Sequence, residues 1–230
     1  MAAGEGTRLR PLTTRWAKPV LPIDGRPVVA TLLRELAEAG CSRAVLVTGH
    51  LAAQVELLVG DGSGFGLEVR CTRQPRADGS ADAVRRGLAA GASPPAIVTA
   101  ADTLYRRGDV RRFWEAFAAS GADSAIGVRR EPPPGPGKPP VGIRAGRVVR
   151  VLDDDPANAL SSAPLWAIGP QVARELPRLP GPPFELAVAY QRAIDSGVAV
   201  APVEIGRTRD LTRPEDLVQE NFGYAWGLTT

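Results

Sequence analysis

The chain has 230 residues, of which 44% are hydrophobic and 23% are charged, and its formal net charge is +3. This composition is typical of a globular protein with room for one well-buried domain and, at most, a small second one. The small and scattered positive charge argues against a nucleic-acid partner. No apolar run has the length of a bilayer span, and no signal-peptide pattern is present, so a membrane or exported protein is not expected.

Cysteine and lysine usage add two expectations. Cys41 and Cys71 lack the spacing of metal ligands, so they are predicted to be reduced in a cytoplasmic protein. Nearly all basic residues are arginines, and the only lysines are Lys18 and Lys138. Because arginine cannot replace a compact ammonium at a crowded phosphate, a retained lysine is a candidate for chemistry.

Strand and helix patterns alternate along the chain, which favours an α/β fold with a mostly parallel mixed sheet flanked by helices. The clearest helix is predicted over residues 27–39, where Val29, Leu32 and Leu36 share one apolar face. The other predicted helices cover residues 51–59, 80–90, 109–119, 184–195 and 214–222. The predicted strands cover residues 44–48, 67–72, 96–100, 124–129, 141–144, 147–152, 164–168 and 198–203.

The segment 131–140 contains too many prolines for regular structure and is predicted to be an exposed, polyproline-II-like loop. Strand patterns resume directly after it on both sides of the Ala145-Gly146 turn. The segment is therefore not expected to separate two domains, and residues 1–230 are predicted to form one domain.

The run Gly4-Glu5-Gly6-Thr7-Arg8-Leu9-Arg10-Pro11-Leu12-Thr13 is the most informative part of the sequence. Glycines let successive backbone N–H groups approach a phosphate without an intervening Cβ, and such groups form an anion-binding nest. Arg8 can offer a planar set of donors to the same charge. The run therefore predicts a loop that binds phosphate groups.

This run, taken with four other segments, resembles the sugar-1-phosphate nucleotidylyltransferases, which include glucose-1-phosphate thymidylyl- and uridylyltransferases and mannose-1-phosphate guanylyltransferases. The resemblance covers nearly the whole chain and implies a Rossmann-like nucleotidyltransferase domain. The four other segments are Lys18-Pro19-Val20-Leu21-Pro22 with Gly25-Arg26-Pro27, Gln74-Pro75 with Gly79-Ser80-Ala81-Asp82-Ala83, Asp102 after a strand, and Arg209-Asp210-Leu211 with the residues that follow it.

The resemblance implies a reaction in which a nucleoside monophosphate passes from an NTP to a sugar 1-phosphate, with Mg²⁺ as the metal. It assigns catalysis to Arg8, Lys18 and Asp102, and the metal to Asp102 and Asp210. The nucleotide is assigned to Ala3, Gly4, Gly6, Thr7, Gln74, Gly79 and Ser80. The amide of Gln74 offers a donor and an acceptor together, so uridine, thymidine and guanosine all stay open. A homo-oligomer is compatible with the sequence, which does not otherwise indicate an oligomeric state.

Other polar residues have a structural interpretation. His50, the only histidine, is not expected to be catalytic, because an ionised phosphate nucleophile needs no general base. The run Asp153-Asp154-Asp155 before Pro156 is predicted to be a solvated turn. For Glu185 the sequence leaves two roles open, a sugar contact and a favourable charge at a helix N-terminus.

The sequence departs from the family on the acceptor side. Residues 152–156 lack the lysine that the family places near the sugar phosphate, and Arg129 or Arg144 is a candidate to replace it. A non-hexose acceptor (cyclitol phosphate, phosphocholine or a phosphonate) therefore stays open. A non-catalytic nucleotide-binding sensor is a further alternative, but it has little need for Lys18 together with two metal-binding aspartates.

A last expectation concerns the first strand. The family places a buried strand of about six residues before the glycine-rich loop, whereas Met1 is followed directly by Ala2-Ala3-Gly4. A missing central strand leaves backbone donors and acceptors unpaired. We therefore expect the natural protein to begin several codons upstream of Met1.

Overall fold

The computed structural model describes residues 1–135, 139–155 and 157–225. The helices in this part are α1 Leu12–Arg15, α2 Val28–Glu38, α3 Ala52–Val59, α4 Ser80–Ala89, α5 Asp109–Ser120, α6 Pro170–Glu175, α7 Leu186–Asp195 and α8 Pro214–Ala225. The strands are β1 Pro22–Ile23, β2 Arg26–Pro27, β3 Arg43–Thr48, β4 Glu68–Arg73, β5 Ala96–Thr99, β6 Thr103–Leu104, β7 Ser124–Arg129, β8 Gly142–Arg144, β9 Arg147–Arg150, β10 Ser161–Ile168, β11 Val200–Glu204 and β12 Arg209–Asp210. Short 3-10 helices cover Thr7–Leu9, Lys18–Val20, Ser63–Phe65 and Leu176–Arg178.

The largest sheet has the strand order β11-β7-β10-β5. β11 and β7 are parallel, whereas β10 is antiparallel to both of its neighbours, β7 and β5. β3 and β4 form a separate parallel pair, and β8 and β9 form the hairpin around the Ala145-Gly146 turn. The predicted α/β fold with a mixed sheet is confirmed. Residues 136–138 of the predicted proline-rich loop lie outside the described residues.

Helices cover the sheets through apolar faces that the sequence pattern already indicates. On α2, Val29, Leu32 and Leu33 are buried in the same core cluster as Leu46 of β3. On α7, the fully buried Tyr190 donates a hydrogen bond to the carbonyl of Ala167 (2.9 Å) in β10. Burial therefore fixes these helices against the strands, and the strand ends between them position the polar residues described below.

A gap separates β3 from β5, and the first residues of the chain enter it. Ala2 N donates to the Val47 carbonyl (2.7 Å), while the Met1 carbonyl accepts from Ala101 N (2.8 Å). The Met1 ammonium donates to the Thr99 carbonyl (2.8 Å). Beyond Met1 a cavity of about 520 Å³ lies between β3 and β5. Residues 1–3 thus link the two sheets where the family's first strand is expected. The upstream start of the natural protein stays a prediction.

Two further observations concern the cysteines and the helices. Cys41 and Cys71 carry free thiols, and partial burial raises the pKa of each. None of the described helices is long and apolar enough to cross a membrane. The interpretation of residues 1–230 as one domain stays a prediction, as does a homo-oligomer.

Candidate active site

The predicted phosphate-binding loop is a tight turn that leads into the 3-10 helix Thr7–Leu9. Gly6 has a φ of 63°, and a Cβ on it would lie 3.0 Å from the Thr13 methyl group. The buried Thr13 hydroxyl donates to the Gly6 carbonyl (2.9 Å), and His50 Nε2 lies 2.8 Å from the Thr13 carbonyl. Gly6 is therefore required for conformation and space, and Thr13 and His50 support the loop.

A cavity of about 240 Å³ opens above this loop. Its walls bring together six residues that the sequence assigns to the site, and the full lining is Met1, Ala2, Gly4, Gly6, Thr7, Arg8, Lys18, Pro19 and Asp102. Ala3 lies outside this lining. It is buried, and its carbonyl accepts a hydrogen bond from His50 N (3.3 Å). Ala3 therefore supports the cavity wall, and a direct contact of Ala3 with nucleotide stays a prediction.

Lys18 and Asp102 form the closest charged pair in the cavity. Lys18 Nζ lies 2.5 Å from Asp102 Oδ2, and the two side chains are 15% and 28% exposed. Lys18 begins the short 3-10 helix Lys18–Val20, and Pro19 is buried behind it. The ammonium is thus held at the cavity wall with limited access to water, where its interaction with an anion is stronger than in bulk water.

The two predicted metal ligands are brought together by a pairing of two very short strands. β6 and β12 are antiparallel, and Asp210 pairs with Thr103, the residue after Asp102. Asp210 Oδ2 also accepts a hydrogen bond from the Thr212 hydroxyl (2.8 Å). The 107 residues between Asp102 and Asp210 give no indication of this contact, which depends entirely on the β6–β12 pair.

β12 is held in place by the side chain of Arg209. Its guanidinium donates to both carboxylate oxygens of Asp24 and to Glu220. These hydrogen bonds, the one to Asp24 above all, raise the pKa of Arg209 even though burial lowers it. The sequence alone indicated no role for Arg209. Its contacts with Asp24 and Glu220 hold the strand that carries Asp210, and Arg209 lies outside the cavity lining.

Asp102 and Asp210 fit a magnesium ion. Within the described parts of the chain, no group of three or more His, Cys, Asp or Glu side chains forms a closed metal cage. Mg²⁺ does not require one, because it retains several waters and binds one or two carboxylates together with substrate phosphates. Asp102 in the cavity wall and Asp210 on the strand paired beside it could supply these carboxylates, and their binding of a metal stays a prediction.

The second predicted nucleotide segment is more constrained than its sequence suggests. Gly79 has a φ of 105°, and a Cβ there would lie 2.4 Å from the Phe184 carbonyl oxygen. The buried Gln74 amide donates to the Gly79 carbonyl (3.0 Å) and to Asp82 Oδ2 (2.9 Å). Both amide hydrogens of Gln74 therefore have partners, so a base contact through this side chain is expected to use its carbonyl oxygen.

Asp82, for which the sequence alone indicated no separate role, organises this segment. Burial raises its pKa, but hydrogen bonds from Arg86, Arg85 and Gln74 outweigh that effect and hold the pKa at about 2. Asp82 is thus a permanent anion that fixes the amide of Gln74. The signal in the sequence was its i+3 and i+4 spacing to the two arginines on α4.

Ser80 and Glu185 interact with each other. The Ser80 hydroxyl donates to Glu185 Oε2 (2.7 Å) and accepts from Leu186 N (2.8 Å), the first residue of α7. This geometry favours the helix-terminus role for Glu185 over the sugar contact. It also gives Ser80 a structural task, and its predicted contact with nucleotide is not tested.

The residues just described also match a known family. The profile described as nucleotidyl transferase matches residues 1–137, which contain the glycine-rich loop, Lys18, the Gln74 segment and Asp102. The chain belongs to the nucleotidyl transferase family. The match covers more than half of the chain, and it confirms the family resemblance that residues 4–13 first indicated.

Three relatives illustrate this membership. The chain is 25% identical over 229 residues to the low-salt glycan biosynthesis nucleotidyltransferase Agl11 of Haloferax volcanii, covering 96% of this chain and 64% of that protein. It is 40% identical over 84 residues to a glucose-1-phosphate thymidylyltransferase of Streptomyces antibioticus, covering 36% of this chain and 24% of that protein. The structure of the inositol-1-phosphate CTP transferase of T. maritima superimposes with a TM-score of 0.78 at 18% identity, covering 100% of this chain and 96% of that one.

The chain of this nucleotidyl transferase spans less than two thirds of the length of these two curated relatives. The structural likeness, at 18% identity, shows the shared fold. Asp210 and the acceptor-side candidates Arg144 and Glu185 lie beyond the matched range 1–137, whereas Arg129 lies within it.

Proposed function

We propose that this nucleotidyl transferase moves a nucleoside monophosphate from an NTP to a sugar 1-phosphate, releasing pyrophosphate, with Mg²⁺ bound by Asp102 and Asp210. The observation that carries the proposal is the cavity where Gly6, Arg8 and Lys18 meet Asp102. The names of the relatives support the substrate class. The cytoplasmic location expected from the sequence stays a prediction.

The reaction requires two anions to approach each other. An oxygen of the acceptor phosphate attacks the α-phosphorus of the NTP; the new P–O bond forms as the bond to the β-phosphate oxygen breaks, and the bond's electron pair leaves with pyrophosphate. The nucleophile is already ionised, so positioning and charge neutralisation supply most of the catalysis.

The residues of the cavity divide these tasks. The backbone of Gly4 and Gly6 and the exposed guanidinium of Arg8 are placed to hold the leaving pyrophosphate. Lys18, held 2.5 Å from Asp102, is placed to neutralise the reacting phosphates. When bound, Mg²⁺ would neutralise phosphate charge and help to align the two substrates.

Pyrophosphate release tests the proposal. The chain is incubated with Mg²⁺ and each of ATP, CTP, GTP, UTP and dTTP, in combination with glucose 1-phosphate, mannose 1-phosphate, inositol 1-phosphate, phosphocholine and a phosphonate. Turnover with a sugar 1-phosphate supports the proposal. Turnover only with the other acceptors favours the non-hexose alternative, and NTP binding without turnover of any pair favours the sensor.

Variants of Lys18 test the assignment within the cavity. Lys18→Ala is expected to lower kcat by about 100- to 1000-fold, as for the loss of one preorganised charge-stabilising donor. Lys18→Arg is expected to recover little, because a planar guanidinium does not fit the place of a compact ammonium beside Asp102. Arg178→Ala, an exposed cation far along the chain, is the matched control. Normal turnover by Lys18→Ala would contradict the assignment.

Variants of the aspartates test the metal site. Asp102→Asn and Asp210→Asn are each expected to raise the Mg²⁺ concentration needed for half-maximal activity, whereas Asp154→Asn, in an exposed position, is not. Asparagine at 210 can still accept the hydrogen bond from Thr212, so the local fold should persist. An unchanged Mg²⁺ requirement in both variants would show that the metal binds elsewhere.

A further inference from the structure

The acceptor side of the proposed site contains a buried cation without a carboxylate partner, Arg129. It lies at the carboxyl end of β7 and is 4% exposed. Among the described residues it is the only buried lysine or arginine, and it forms no salt bridge with any of them. Burial lowers its pKa, while the carboxylate of Asp210 opposes that effect. A buried guanidinium held mainly by neutral groups is costly, which calls for an anionic ligand.

Two hydroxyl groups hold Arg129 in one orientation. Its Nε donates to Ser161 Oγ (3.4 Å), and its Nη1 donates to Thr208 Oγ1. Nη2 makes no hydrogen bond to a described residue. Among the described residues, only Glu35 Oε2 is both fully buried and without a hydrogen-bond partner, so Nη2 keeps some access from outside. The guanidinium is thus oriented by its neighbours while one nitrogen keeps its donors available.

The topology places this free nitrogen at the edge of the sheet that carries the two aspartates. β10 begins at Ser161 opposite Arg129 and runs antiparallel between β7 and β5. Asp102 follows β5, so Asp102 and Arg129 lie at the same edge. After β11 the chain crosses this edge, with Ile205 N bonded to the Val128 carbonyl (2.8 Å), and Thr208 leads directly to β12 and Asp210.

The geometry of phosphoryl transfer determines which anion belongs there. The glycine-rich loop, which we propose holds the leaving pyrophosphate, lines one cavity with Lys18 and Met1, next to β5. In-line attack requires the acceptor oxygen to enter from the opposite side of the α-phosphorus. Arg129 lies on β7, on the far side of β10 from β5, and its charge interacts with Asp210.

We propose that Arg129 binds the phosphate group of the acceptor, with Ser161 and Thr208 as positioning residues. This inference rests on the proposed function and extends it to an anion-binding site that the nucleotide motifs do not include. It also distinguishes between the two arginines that the sequence left open, because Arg144 is exposed on the β8–β9 hairpin.

Steady-state kinetics with the acceptor and the NTP varied separately test the proposal. Arg129→Gln is expected to raise the KM of the acceptor phosphate by about 10- to 100-fold, the value of one charged hydrogen-bonded contact. The KM of the NTP should change by less than about twofold. Arg129→Lys should recover part of the acceptor affinity, since it retains the charge. Arg144→Ala is the matched control and should leave both KM values unchanged.

Variants of Thr208 control for the possibility that Arg129→Gln does not fold. Thr208→Ala removes one orienting hydroxyl and should raise the acceptor KM by less than Arg129→Gln does, while Thr208→Ser should behave as wild type. A thermal shift adds a readout independent of turnover. Glucose 1-phosphate with Mg²⁺ and a non-hydrolysable NTP analogue should stabilise the wild type more than the analogue alone, and this increment should be lost in Arg129→Gln.

The outcomes separate the two proposals. If the wild type turns over a sugar phosphate and Arg129→Gln keeps its acceptor KM, the inference is wrong and the proposed function stands. An altered Mg²⁺ requirement with an unchanged acceptor KM would likewise overturn it, since Arg129 would then only balance the charge of Asp210. If the wild type transfers nucleotide to none of the acceptors, the proposed function fails and the inference fails with it.

Discussion

Residues added before Met1 are expected to stabilise the chain by filling the gap between β3 and β5. We consider a fused segment of about six apolar, β-branched residues, a usual strand length. Residues 1–3 already bond to both sides of the gap, so the added strand would continue from an existing register. It would enter a cavity of about 520 Å³ lined by both apolar and polar groups.

The magnitude follows from comparison with a segment of equal length made of Ser and Asn. Burying one Val or Ile side chain contributes about 1.5–3 kcal/mol relative to leaving it exposed. If about half of the added side chains enter the cavity, the apolar segment should be more stable than the polar one by roughly 5 kcal/mol. For a chain of this size that difference corresponds to a Tm higher by about 10–20 °C.

A second effect of the fusion concerns the buried Met1 amine. Burial lowers its pKa from 8.0 to about 6, and the nearby Asp102 carboxylate opposes this shift. The amine of the unfolded chain then binds more protons between pH 6 and pH 8, so the contribution of this group to the stability of the unextended chain should rise with pH across this range. Two pKa units correspond to roughly 3 kcal/mol. Fusion converts the amine to an uncharged amide and should abolish this dependence.

Thermal unfolding of the three proteins at pH 6 and pH 8 measures both effects. The apolar extension should raise the Tm and remove the part of its pH dependence that comes from the Met1 amine. The polar extension should remove the same part but add little stability. Equal Tm values for the apolar and polar extensions would refute the reasoning, because they would show that the added side chains stay outside the cavity.

Two other substitutions have expected effects on stability. Gly79→Ala should destabilise the chain by about 2–3 kcal/mol in urea unfolding, because its Cβ would lie 2.4 Å from the Phe184 carbonyl at a φ of 105°. Gly64→Ala, with open space around its Cβ, is the control, and equal losses would contradict the clash. Burial, together with Glu38 and Asp109, raises the pKa of Glu35 to about 7, and its buried Oε2 has no hydrogen-bond partner among the described residues. At Glu35 the folded state therefore binds more protons between pH 4.5 and pH 7, so the contribution of this carboxyl to wild-type stability should fall as pH rises through this interval. Since Glu35 is only partly buried, Glu35→Gln should gain roughly 1 kcal/mol at pH 8 and nothing near pH 4, and a gain independent of pH would rule out this explanation.

The sequence by itself determined the loop and the lysine that we propose for the nucleotide half of the site. Gly6 must adopt a positive φ beside Thr13, and Lys18 must present an ammonium, so these requirements are local and leave a pattern in consecutive residues. The alternating strands and helices follow from the period of the apolar residues, which explains why the predicted elements correspond closely to the observed ones. The two-residue strands β6 and β12 and the helix α6 were not predicted, since elements this short have no measurable period.

Only the tertiary structure decided how distant residues meet. The contact between Asp210 and the residue after Asp102 depends on the β6–β12 pair, and the use of the Gln74 amide hydrogens depends on the buried Asp82. The same is true of Arg129, whose burial between Ser161 and Thr208 distinguishes it from the exposed Arg144. Long-range pairing and burial arise from how whole elements pack, and a single sequence carries no local pattern that records them.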